Sequence, residues 1–163
     1  MQFVGSFARA CTALVLLSAC GAEASTPPAI WRDIARVNVL CLVQTDNGVE
    51  RGALHDRICN GVRDAAAAGA PAPVGIIAAG DPAVLAPGNV TLLVQASARG
   101  GLLAFTIRPY RNSGEAMLFT AAPRAVPLAR AARPAKEFEA ALGAALSETL
   151  PWLSRPAGAR LIR

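Results

Sequence analysis

The chain has 163 residues, of which 53% are apolar and only 17% charged, and its formal net charge is +5. So high an apolar content with so few charges excludes a globally disordered chain, and the length suits one domain whose core needs no obligatory staple. Of the sixteen basic residues only Lys136 is a lysine, a bias that fits a GC-rich coding sequence, given the abundance of Ala, Gly and Pro.

Met1 to Arg9 carries one positive side chain, Ala10 to Ala19 is apolar or small throughout, and Cys20-Gly21 follows. This is the charged-then-apolar layout of a secretory signal, too short for a comfortable membrane span. Leu17-Ser18-Ala19-Cys20 resembles the lipobox of bacterial lipoproteins. The resemblance implies a diacylglyceryl group on the Cys20 thiol, cleavage just before it, and, with Gly21 rather than Asp, transfer to the outer membrane. Residues 1–19 are then a signal peptide, 20–30 a lipidated tether containing Ser-Thr-Pro-Pro, and 31–163 a single periplasmic domain. A competing pattern, Ala22-Glu23-Ala24 before Ser25, fits ordinary signal cleavage and gives a soluble periplasmic protein instead.

From Val37 to Gln44, valines and Cys41 alternate with Asn38, Leu40, Leu42 and Gln44, which predicts a strand with one dry face. Asn47 with Glu50 three residues later reads as a helix start; Leu54, Ile58, Val62 and Ala65 continue at helical spacing, and Gly69 with Pro71 supplies the stop. Val74 to Ala78 is a short apolar strand, and a Pro87-Gly88-Asn89 turn leads into a longer alternating one from Val90 to Ala98. Gly100-Gly101 predicts a hairpin into Leu102 to Arg108, and Asn112-Ser113-Gly114 a turn into a third meander strand, Ala116 to Ala122. Pro123 to Pro134 reads as an exposed connection. With Pro134 as first helical residue, Phe138, Leu142, Leu146 and Leu150 then form the buried stripe of a second helix, ended by Pro151. Trp152 and Leu153 beyond it are a core cap or part of a partner patch.

This order predicts an α+β fold, a two-layer sandwich with two amphipathic helices on one face of a four- or five-stranded, mostly antiparallel sheet. In element order alone it loosely resembles small domains of bacterial envelope lipoproteins and assembly factors, such as the amino-terminal domain of TolB or the lipopolysaccharide-assembly lipoprotein LptE.

Cys11 and Cys20 belong to the signal region, leaving Cys41 on the dry face of the first strand and Cys59 at the edge of the helix stripe. Export to an oxidising compartment favours a Cys41–Cys59 disulfide, with two buried free thiols as the alternative. There is no C-x-x-C and only one histidine, His55, so no metal site or other cofactor is expected.

His55-Asp56 lies on a helix with no G-x-S-x-G elbow elsewhere, carboxylates are scattered singly, and the glycines match no nucleotide-binding loop. A non-enzymatic binding or accessory protein is the leading expectation; a small hydrolase would need His55, an acid and a hydroxyl to converge in the fold. Charge is uneven. Cys20 to Ala98 has five arginines against seven carboxylates, whereas the chain from Arg99 onward has nine arginines and Lys136 against four glutamates. Arg108, Arg111, Arg124, Arg130, Arg133 and Lys136, with Arg155, Arg160 and Arg163 at the tail, are candidates for an anionic envelope component or acidic partner. Nucleic acid belongs to the wrong compartment.

Overall fold

The computed structural model describes residues 29–46, 50–112, 121–128 and 136–154. It is an α+β fold with five strands and two helices, in the order β1 (Arg36–Thr45), α1 (Arg51–Ala67), β2 (Val74–Ile76), β3 (Asn89–Arg99), β4 (Leu102–Tyr110), β5 (Arg124–Pro127) and α2 (Lys136–Thr149). Two short 3-10 turns, Ala29–Trp31 and Pro82–Val84, precede β1 and β3.

The sheet runs β2-β1-β3-β4-β5. β1 lies parallel to both its neighbours, and β3, β4 and β5 form an antiparallel meander. The parallel pairing of β1 with β2 follows from the helical return of α1 between them, since parallel neighbours need a crossover. Arg99 and Leu102 pair across a turn in which Gly100 and Gly101 both have positive φ, 58° and 77°. Two such glycines match the twist of the flanking strands, and so a two-residue hairpin closes there.

Period-two alternation turns Val37, Val39, Cys41 and Val43 of β1, Leu92 and Val94 of β3, and Leu103, Phe105 and Ile107 of β4 toward the helices, where all are buried. α1 contributes Leu54, Ile58, Cys59, Val62 and Ala66 to the same core, and α2 contributes Phe138, Leu142, Ala145 and Leu146. The helices touch each other, α1 over β1 and β2, α2 over β4 and β5. Phe138 meets Phe105 edge-on at 5.7 Å. Each fully buried side chain of this size contributes roughly 1.5–3 kcal/mol, so burial on one face holds the two layers together.

Several expectations shift. The third meander strand is Arg124–Pro127, inside the stretch read as an exposed connection. At a sheet edge Pro127 loses no ladder bond, and Val126 turns inward beside Leu103. Of the expected strand Ala116 to Ala122, Ala121 and Ala122 are not in a strand and the rest lies outside the described residues. α1 begins at Arg51 with Glu50 as its N-cap and no side-chain cap bond; Asn47 and Pro134 lie outside the described residues. β2 stops at Ile76, and Gly69 ends α1 as expected, with φ 77°.

Trp152 is a core cap. Its indole N–H donates to the Ala66 carbonyl at 2.9 Å, and its ring stands edge-on to Trp31 at 5.2 Å. This contact joins the ends of both helices to the segment that leads in from the proposed tether.

Candidate functional site

Cys41 and Cys59 are bonded, with their α-carbons 6.0 Å apart. β1 presents Cys41 on its helix-facing side, and Cys59 sits one position beyond Ile58 on the buried stripe of α1, so the covering helix brings the sulfurs together. Both residues are buried. His55, one turn earlier, places Nε2 3.9 Å from the Cys59 sulfur and Nδ1 3.1 Å from the Asp56 carboxylate. Among the described residues no serine or threonine hydroxyl bonds to His55, and no cluster of three or more His, Cys, Asp or Glu side chains is placed to hold a metal ion.

The arginine candidates do not form one group. Arg108 is exposed on the side of β4 away from the helices. Arg111, which follows β4, has its guanidinium engaged inside the molecule: Nη1 donates to the carbonyl oxygens of Ile30 at 3.2 Å and Arg32 at 2.6 Å. Five N–H donors in a rigid fork suit this gathering of backbone carbonyls. Arg124 points to the helix side of β5 and pairs with Glu148 of α2. Lys136 is the first residue of α2. Arg130, Arg133, Arg155, Arg160, Arg163 and the lipidation candidate Cys20 lie outside the described residues.

The sheet face away from the helices is a surface that motif reading did not single out. Its positions are Arg36, Asn38, Leu40, Leu42 and Gln44 of β1, the alternate residues Asn89 to Arg99 of β3, and Leu102, Ala104, Thr106, Arg108 and Tyr110 of β4. One end is crossed by the chain from β2 to β3. There Asn38 and Asn89 each donate a side-chain N–H to the Ala83 carbonyl, at 3.2 and 2.9 Å, and Asn112 donates to Leu85. Among the described residues, Leu40, Leu93 and Thr106 in the middle of the face are half-buried, and toward the hairpin end the face opens, with Leu42 41% and Leu102 52% exposed. The strand alternation carried the signal for this face, but which neighbours extend it depends on strand order.

Among the described residues no helix is long and apolar enough to cross a membrane. Comparison with protein-family models, curated proteins and solved structures gave no match.

Proposed function

We propose that the chain is an envelope lipoprotein, acylated at Cys20, held at the periplasmic face of the outer membrane, and working as a non-enzymatic accessory or binding component. The observation that carries this reading is the buried Cys41–Cys59 bond between a sheet strand and the helix that covers it. Cytosolic thiols are kept reduced, and such a bond suits a domain that folds after export. The lipobox-like Leu17-Ser18-Ala19-Cys20 names the same destination from independent residues. His55 has a carboxylate and a disulfide sulfur beside it and, among the described residues, no hydroxyl partner of the kind a hydrolase reading needs.

The test is the intact mass of the protein extracted from its native host without reductant. An acylated chain beginning at Cys20, lighter by two hydrogens than its reduced form, is the expected result. A bare chain beginning at Ser25 would replace the anchored protein with a soluble periplasmic one. Cys20→Ala should release the protein from membranes or block its processing, and unchanged membrane retention counts against the anchor.

A further inference from the structure

We propose that the open sheet face is a membrane-docking surface, laid flat against anionic phospholipid headgroups; the proposal rests on the lipid anchor at Cys20. Three observations meet here. Among the described residues, the charged side chains that the strands place on the face are Arg36, Arg99 and Arg108, all exposed and none ion-paired, with Asp46 just beyond the end of β1. The Arg36 guanidinium lies over Gly75, where an added Cβ would come 2.6 Å from Nη2, so the lack of a side chain in β2 leaves it room. The carboxylates at the rim are held by backbone: Asp46 accepts the Gly100 N–H and Asp81 the Ala83 N–H. The helical layer is mixed in charge: it exposes Asp56, Asp64, Glu137, Glu139 and Glu148 but also carries Arg51, Arg57 and Arg63, with Asp64 paired to Arg63 and Glu148 to Arg124.

Four of the five exposed large apolar side chains among the described residues gather on the same side, Ile76 of β2 being the exception. Leu42, Leu102 and Tyr110 stand on the face, and Leu85, 56% exposed, belongs to the segment that crosses it. Arginine with leucine and tyrosine is the composition of an interfacial surface, cationic toward headgroups and apolar toward the acyl boundary.

The spacing selects lipid over an acidic protein. Arg36 and Arg99 lie at opposite ends of the paired β1–β3 ladder, about 30 Å apart at roughly 3.3 Å per residue. One cluster of carboxylates cannot meet both, whereas a field of laterally mobile headgroups can. Cys20 precedes Ala29 by nine residues, a reach of at most about 30 Å, so an anchored domain stays within contact of its own bilayer. Each arginine close to an anionic leaflet favours this orientation on the order of fivefold, and the three together about a hundredfold.

Leu102 and Glu139 provide the test, because both lie toward the hairpin end of the molecule, away from the tether, and on opposite layers. In the acylated, oxidised protein, Leu102→Cys or Glu139→Cys would be the only free thiol, open to an environment-sensitive fluorophore. The protein is placed in phosphatidylcholine vesicles with or without phosphatidylglycerol, and quenching by doxyl-labelled lipid is read. The expected result is several-fold stronger quenching at Leu102 than at Glu139 with phosphatidylglycerol, lost at high salt and in a variant carrying Arg36→Gln, Arg99→Gln and Arg108→Gln. Equal quenching at the two positions, or contrast that survives loss of the arginines, overturns the proposal. Contrast that arises only in native membranes containing proteins also overturns it and assigns the face to a protein partner. Vesicle flotation separates the anchor from the face: if the chain proves to be unacylated, salt-sensitive flotation with phosphatidylglycerol that needs the three arginines upholds the docking face, and no flotation sinks it.

Discussion

Arg111 holds the carbonyl oxygen of Arg32 at 2.6 Å, a contact between the residue that follows β4 and the turn that precedes β1. The same guanidinium reaches Ile30 and, through Nη2, Asp33 at 3.4 Å. Arg111→Ala should lower stability by about 1.5–3 kcal/mol, the range for hydrogen bonds to a charged group. Arg111→Lys should recover only part of that, because a single ammonium cannot span the same carbonyls. Urea unfolding checks this, and a midpoint unchanged in the alanine variant would refute the clamp.

Removing the disulfide, by reduction or by Cys41→Ala with Cys59→Ala, should cost about 3 kcal/mol, given the separation of 18 residues between the two cysteines. The comparison is guanidinium unfolding of the oxidised protein against the double variant. A loss below about 1 kcal/mol would mean that the unfolded chain gains little freedom when the bond is absent.

Trp152→Phe keeps an aromatic ring against Trp31 but leaves the Ala66 carbonyl without its donor, a loss of about 1 kcal/mol. Trp152→Ala should cost about 3–5 kcal/mol. A double-mutant cycle with Trp31 isolates the ring contact, expected at about 0.5–1.5 kcal/mol. Coupling near zero would show that the two rings share a site without interacting.

Two glycines should respond with opposite sign to alanine. Gly88 has φ 78°, its carbonyl accepts the Ala35 N–H at 2.8 Å, and an added Cβ would stand 3.1 Å from the Ala35 Cβ. Gly88→Ala should destabilise by about 1–2 kcal/mol from backbone handedness alone. Gly143 lies in α2 with nothing within 4 Å of an added Cβ, so Gly143→Ala should stabilise by roughly 0.8–1 kcal/mol. Thermal midpoints moving in the same direction would contradict this assignment.

The Arg124–Glu148 pair is partly open to solvent, with 27% and 49% of the two side chains exposed. A double-mutant cycle should give coupling of no more than about 1 kcal/mol. Arg124 Nε is buried without a partner among the described residues, which adds a reason for Arg124→Met to be tolerated. Coupling well above this range would mean that the edge strand depends on the ion pair.

How much of this was legible in the sequence depended on periodicity. Leu54, Ile58 and Val62 marked α1, Phe138 to Leu150 marked α2, and the alternation of Val37 to Gln44 marked β1, because each carries one apolar face to a single core. The disulfide could be read because the helix returns over the strand that precedes it. β5 was hidden: Pro123 precedes it and Pro127 ends it, and of its two helix-facing residues, Arg124 and Val126, only Val126 is apolar. Strand order was hidden too, since β3 pairs with β1 across an insertion rather than with β2. The internal use of Arg111 depends on a contact across some eighty residues, which neither spacing nor composition encodes.

The pairing of Arg36 with Asn89 has a consequence for how the protein is made. β1 lies inside the sheet, and until the chain has been supplied as far as β3 it has only the three-residue ladder with β2 to complete one side. The sheet therefore cannot assemble in the order of its strands. A fragment ending before β3 should remain without a stable sheet even when its disulfide is closed. Because such long-range pairing must overcome the entropy of a large loop before it is rewarded, the domain should fold more slowly than its two helices would indicate.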